Sequence, residues 1–182
     1  MKKTAILFAE GYEEVEALTV VDLLRRAKIG CDIVAVKEVD EVTGSHGISV
    51  RADRRFSQLT PEEYDGLILP GGLRGVNNLA ADERVLALLR DFAAAGKLTA
   101  AICAGPTVLA RAGLLEGRKA CCYPGMEDQL TGAVACTEAV VEDGSIITSR
   151  GLGTAMPFAL ALVAYFSGKK QAQALAKSIV FQ

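Results

Sequence analysis

The chain holds one histidine, His46, in 182 residues, and none of its five cysteines is spaced Cys-x-x-Cys. Those scarcities argue against a structural zinc site, and no metal or cofactor is expected. An odd cysteine count in a chain of this size does not make a disulfide framework either. Charge of one sign is also missing. A formal net charge of -2 gives no electrostatic case for nucleic acid, and no basic run suggests a membrane surface. No apolar stretch approaches the length of a transmembrane helix. The opening Met1–Ala9 segment resembles the start of a secretion signal, but it is too short and Glu10-Gly-Tyr-Glu-Glu14 interrupts it. A soluble, cytoplasmic protein is expected. Linkers, low-complexity stretches and repeats are absent as well. With 51% hydrophobic residues, the chain reads as one domain over residues 1–182 with a full core.

What is present is an alternation of short apolar runs with longer helical patterns, the mark of a parallel sheet covered on both faces. Strands are expected near Thr4–Phe8, Asp32–Val36, Gly66–Leu69, Thr99–Ile102, Lys119–Cys122 and Ser145–Thr148. Helices are expected near Glu14–Ala27, Glu83–Ala95, Thr107–Ala112 and Thr154–Ser167, with a short one over Lys170–Lys177. Ile48–Arg51 and its neighbours read as a small antiparallel excursion. The expected fold is a single doubly wound α/β sandwich of the flavodoxin-like kind. Cys31, Cys121 and Cys136 fall in apolar, strand-like segments and read as structural thiols.

Ligands of such folds bind outside the carboxyl ends of the strands. Four features should meet there. In Thr99-Ala-Ala-Ile-Cys-Ala-Gly-Pro106 an apolar run ends at Cys103, and Ala104 and Gly105 leave a tight turn uncrowded. Pro106 suits a first helical position. This order puts a thiol on a strand-to-helix elbow like that of hydrolases, without their Gly-x-Ser-x-Gly motif, and a helix start favours a thiolate. Spacing alone leaves two readings open, a reactive thiol and a buried structural cysteine. The second feature is Leu69-Pro-Gly-Gly-Leu73, where Gly71 and Gly72 either present bare amides to an anion or simply turn the chain. The third is Glu10-Gly-Tyr-Glu-Glu-Val-Glu16, and the fourth is Ser149-Arg-Gly-Leu-Gly-Thr154, which contains Arg150. Helical spacing puts Glu16 in line with Val20, Leu23 and Ala27, a core-facing stripe where its carboxyl should have a raised pKa; the other reading is a surface glutamate that snorkels to water. Glu13 and Glu14 read as complements to the helix dipole.

Together, Gly11-Tyr-Glu-Glu-Val-Glu16, Leu69-Pro-Gly-Gly72, Ala101-Ile-Cys-Ala-Gly-Pro-Thr107 and Thr148-Ser-Arg-Gly-Leu-Gly-Thr154 closely resemble the DJ-one branch of the ThiJ/PfpI superfamily. The likeness reaches across nearly the whole chain. It implies that Cys103 is an oxidisable nucleophile in strained backbone geometry and that Glu16 is the protonated glutamate beside it. It further implies that Gly71, Gly72 and the Ala104 amide line an oxyanion-type pocket. A homodimer is implied too, formed by the early helix around Arg25 and Arg26 and by the hairpin of His46, which would approach the partner's pocket. Cys103 is accordingly expected to be the one abnormally acidic thiol. There are departures. Superfamily proteases follow the cysteine with a histidine, where this chain has Ala104, and no histidine follows His46. Tyr123 stands where the branch often carries a histidine near the nucleophile, and it cannot act as a base near neutral pH. Cys-His hydrolysis is therefore disfavoured.

The leading expectation is cysteine-dependent stress chemistry on α-oxoaldehydes or their early protein adducts, of the glyoxalase or deglycase type. The alternative is a redox sensor or holdase chaperone acting through oxidation of Cys103, with peptidase or amidase activity last.

Overall fold

The computed structural model describes residues 1–181. The first half of the chain forms β1 (Lys3–Phe8), α1 (Glu14–Arg26), β2 (Gly30–Ala35), β3 (Glu41–Thr43), β4 (Ser49–Arg51), β5 (Arg54–Arg55) and β6 (Gly66–Leu69). Then come α2 (Leu73–Ala80), α3 (Glu83–Ala94), β7 (Leu98–Ile102) and α4 (Pro106–Arg111). The remainder is β8 (Lys119–Ala120), β9 (Val134–Ala135), β10 (Val140–Asp143), β11 (Ile146–Ser149), α5 (Ala155–Ser167) and α6 (Lys169–Ser178). The main sheet runs β10-β11-β7-β6-β1-β2-β5. Every neighbouring pair is parallel except β10 with β11.

This is the doubly wound sandwich that the apolar runs imply. Each inner strand is buried on both faces, so its residues alternate between two cores rather than between core and water. Along β1, Ala5 and Leu7 pack with α2, α3 and α4, while Ile6 and Phe8 pack with α1, α5 and α6. On α1 the buried stripe is Glu16, Ala17, Val20, Leu23 and Leu24. Burying each of its larger aliphatic side chains contributes about 1.5–3 kcal/mol. Parallel winding brings the carboxyl ends of β1, β6, β7 and β11 to one edge.

A hairpin made by β3 and β4 lies over that edge, tied to the loop after β1. The Gly11 amide donates to Thr43 O at 2.8 Å, and the Ser45 amide donates to Tyr12 O at 2.8 Å. Tyr12 itself is fully buried, stacked 4.1 Å from the Phe8 ring, and its hydroxyl donates to Ile48 O. The expected excursion around Ile48–Arg51 is this hairpin.

Several elements differ from expectation, the unexpected two-residue strands β5 and β9 among them. The strand expected over Lys119–Cys122 stops at Ala120 and pairs with β9 in a separate two-stranded sheet. Its place beside β7 is taken by β11, and the Cys121 amide turns aside to the Thr148 hydroxyl at 2.9 Å. Helix α2 was not expected, because Gly75 and two asparagines weaken its local signal. Tertiary packing overrides that weakness, and a Cβ on Gly75 would stand 2.8 Å from the Tyr12 nitrogen. The antiparallel edge strand β10 turns into β11 through Gly144 at φ +63°. Among the described residues no helix is long and apolar enough to cross a membrane.

Candidate active site

Cys103 sits at the end of β7 with φ +66°, a left-handed conformation that costs a non-glycine residue on the order of 1–3 kcal/mol. Two other segments hold it there. Its amide donates to Ser149 O at 3.0 Å, and its carbonyl accepts from the Tyr123 amide at 2.8 Å. Pro106 opens α4 as its first residue. The thiol is partly exposed, and the amides of Ala104 and Gly72 lie near enough to pull its pKa down.

Glu16 lies in the first turn of α1, 1% exposed, and one carboxyl oxygen accepts the Gly71 amide at 3.0 Å. That bond is its well-formed one; the approach to Cys103 is a polar contact close enough for each group to shift the other. Glycine at position 71 is a matter of space. A Cβ there would overlap the Glu16 oxygen and lie 3.0 Å from the Cys103 sulfur. The Glu13 amide donates to Gly71 O at 2.9 Å, and the Glu13 carboxylate caps α1 by accepting the Glu16 amide at 2.7 Å. Gly72 meets both needs of a glycine, with φ +88° and a Cβ position 2.5 Å from Gly11 O.

Burial pushes the Glu16 carboxyl up to about 7, with a smaller push from the charge of Glu13 and opposing pulls from Cys103 and the Gly71 amide. The expectation of an abnormally acidic Cys103 is overturned. Burial first, then the charge of Glu16 and its polar contact, push the thiol up to about 12, against the pull of the Ala104 and Gly72 amides. A buried carboxylate and a buried thiolate in contact exclude one another, so above neutral pH the pair holds one proton between them.

These groups floor a cavity of about 530 Å³ lined by Glu13, Ser45, His46, Leu73, Ala104, Tyr123, Pro124, Met126 and Leu152. The pocket thus gathers Cys103, Glu16, Gly72, Ala104, Glu13, His46 and Tyr123, with Gly71 just behind. His46, expected at a partner's pocket, lines the pocket of its own chain. Arg150 and Arg26 are not brought in. Arg150 turns away to donate to Thr137 O at 3.0 Å and to pair with Glu127 at 3.5 Å. Arg26 ends α1, twelve residues from Glu14, or about 18 Å along the axis, and pairs with Asp22.

Glu14 has a larger part than a helix-dipole complement. It is 3% exposed and accepts from the Ser45 hydroxyl at 3.1 Å, the His46 amide at 2.6 Å and His46 Nδ1 at 2.9 Å. Burial alone would raise its pKa, but the bonds from His46 and Ser45 outweigh it and hold the carboxyl near 2. The same contact raises the pKa of the exposed His46 ring. Its partners lie some thirty residues away, so no local pattern could have shown this clasp on the hairpin. Glu13, Glu14 and His46 also bring ligand-type atoms within 4.8 Å of one another. All three already serve the hydrogen bonds just described.

With this geometry in hand, the chain's kinship is plain. The profile of the DJ-1/PfpI family matches residues 2–165, and the chain belongs to that family. It is 37% identical over 181 residues to protein dj-1beta of Drosophila melanogaster, covering 98% of this chain and 97% of that protein. The crystal structure of Drosophila DJ-1beta superposes with a TM-score of 0.95 over 100% of both chains. A structure of oxidized DJ-1 from Toxoplasma gondii, 35% identical, also superposes at 0.95 over 100% of this chain and 99% of that one. A protein named deglycase PH1704, from Pyrococcus horikoshii, is 38% identical over 151 residues, 81% of this chain and 89% of that protein.

Proposed function

We propose that this protein is a cofactor-independent enzyme acting on α-oxoaldehydes, or on the early adducts they form with protein side chains. The observation that carries the reading is the proton-sharing pair Cys103–Glu16 at the floor of an apolar pocket with amides beside the sulfur. The sulfur adds to the aldehyde carbon while its proton passes to the Glu16 carboxylate. The carbonyl oxygen develops negative charge beside the Gly72 and Ala104 amides and takes the proton back from Glu16. Glu16 next moves the hydrogen on that carbon, as a proton, to the neighbouring ketone carbon through an enediol. A thioester on Cys103 results. Water cleaves it, releasing a 2-hydroxy acid and restoring the thiol. With a hemithioacetal or aminocarbinol on a Cys, Lys or Arg side chain, the same sulfur takes over the aldehyde carbon and the side chain leaves unmodified. The deglycase relative supports this second substrate class.

The test is lactate formation from methylglyoxal, with Cys103→Ser as control. Turnover should depend on Cys103 and kcat/KM should rise as pH passes about 7, where Glu16 becomes able to accept the thiol proton. Equal lactate from the serine variant would overturn the reading. A redox-sensor reading is favoured by one observation, the partial exposure of a sulfur between two amides that could hold an oxidised oxygen. Sulfinate accumulating at Cys103 under mild peroxide without any lactate would select it. The family resemblance also leads us to propose a homodimer in the cytoplasm, joined through α1 and the β3–β4 hairpin. Val15 and Ile48, each about half exposed, leave apolar surface on those elements, and a monomeric mass by light scattering would overturn it.

A further inference from the structure

The ladder between β8 and β9 carries a second pair of thiols into register. Ala120 pairs with Ala135, and the Cys136 amide continues the pattern by donating to Ala120 O at 2.8 Å. Cys121 and Cys136 are the residues that follow the last paired rung on each strand, near enough for the charge of Cys136 to act on the Cys121 thiol. Neighbouring strands stand about 4.8 Å apart, inside the span of about 4.4–6.8 Å between α-carbons that a disulfide bridges, and paired residues of a parallel ladder project to the same side. The two thiols differ in access: Cys121 is fully buried, while Cys136 is partly exposed at the free edge of β9. Cys122 is no competitor. Alternation turns it to the opposite face, where it packs in the core with α3 and α4.

We propose that Cys136 and Cys121 form a reversible disulfide, a redox site separate from Cys103, with a hydroperoxide as oxidant. The Cys136 sulfur attacks the peroxide, the O–O bond breaks, and a sulfenic acid forms while an alcohol or water departs. The Cys121 sulfur then attacks the sulfenic sulfur, the S–O bond breaks, and water leaves as the S–S bond forms. Two thiols lose two electrons and two protons, and the peroxide gains both. Surrounding groups suit the exchange. Arg150 donates to the carbonyl of Thr137, next in the chain to Cys136, and its charge pulls the Cys121 thiol towards ionisation against the raising effect of burial. The guanidinium Nε is buried with no hydrogen-bond partner. The Thr148 hydroxyl lies 3.6 Å from the Cys121 sulfur. The link would also reach the nucleophile, since Tyr123, two residues beyond Cys121, holds the Cys103 carbonyl.

The experiment treats the full chain, as Cys103→Ser, with hydrogen peroxide, blocks free thiols and cleaves after glutamate. Glu127 lies between the two cysteines, so a disulfide joins two separate peptides. The joined pair should appear with peroxide, vanish on thiol reduction, persist in Cys122→Ser and be lost in Cys136→Ser. Cys136 advancing to sulfinic acid with no joined pair, or a link that is lost in Cys122→Ser, would overturn the proposal. Both outcomes are independent of aldehyde turnover.

Discussion

Replacing Glu16 with glutamine separates the stability of the buried acid from its chemistry. Glutamine has nearly the same shape, accepts the Gly71 amide in the same way and offers an N–H to the sulfur, but it does not titrate. In the unfolded chain the glutamate carboxyl releases its proton near 4.5, whereas in the fold it does so at about 7. Below the lower value both states are protonated and burial of the acid costs nothing. As pH rises between the two values, the unfolded chain gives up its proton and the folded chain does not, so stability falls until the folded value is passed. At about 1.36 kcal/mol per pH unit, the loss comes to about 3 kcal/mol. Cys103, pushed up to about 12, stays protonated throughout this window and adds nothing to it. Glu16→Gln should therefore match the wild type near about pH 4 and exceed it by about 3 kcal/mol near about pH 8, or roughly 6–12 °C in Tm. Urea unfolding of both proteins at the two pH values measures this, because titrating groups away from the Glu16 carboxyl cancel in the comparison. Lactate formation should fall in the same variant. A gap between the proteins that is equal at both pH values would refute the reasoning, because it would mean that the carboxyl is not held protonated by the fold.

Gly71→Ala should lose activity by on the order of 10²-fold with its fold retained, because the added methyl must displace both Glu16 and Cys103; steady-state kinetics beside circular dichroism checks this. Glu14→Gln should lower the His46 pKa towards its ordinary value of 6.5, and with one histidine in the chain a proton NMR titration reads that shift without assignment. The same variant should raise KM more than it lowers kcat, since Glu14 clasps the pocket wall and does not touch the sulfur. In the reduced protein, iodoacetamide should label Cys103 and Cys136 while Cys31, Cys121 and Cys122 stay protected; peptide mapping that found Cys31 labelled as fast would contradict the burial order.

The elbow was legible because its signals are local: an apolar run, a cysteine, two small residues and a proline in sequence. Glu16 was legible for a related reason, being an acid on an otherwise apolar helical stripe. Helix α2 was hidden because its residues are poor helix formers individually, and only the contact of Gly75 with Tyr12 shows why glycine stands there. The place of strand β8 was not legible because an apolar run does not say which sheet it joins; β8 pairs with β9, and β11 pairs with β7. The clasp of Glu14 on Ser45 and His46, and the turn of Arg150 away from the pocket, depend on partners distant in the chain. The titration of Cys103 was misjudged by weighing the helix terminus and neglecting burial beside a second acid.

The Cys103 amide is held by Ser149, the last residue of β11, which is the last strand in chain order. On the ribosome, Cys103 is synthesised more than forty residues before this partner. Until β11 docks, β7 is an open edge and Cys103 lacks one of the two backbone bonds that hold its left-handed conformation. A nascent chain therefore carries Cys103 without this tie for more than forty residues of its synthesis. The left-handed turn is therefore completed late, and a chain stalled or cleaved before β11 lacks the Ser149 tie at this position.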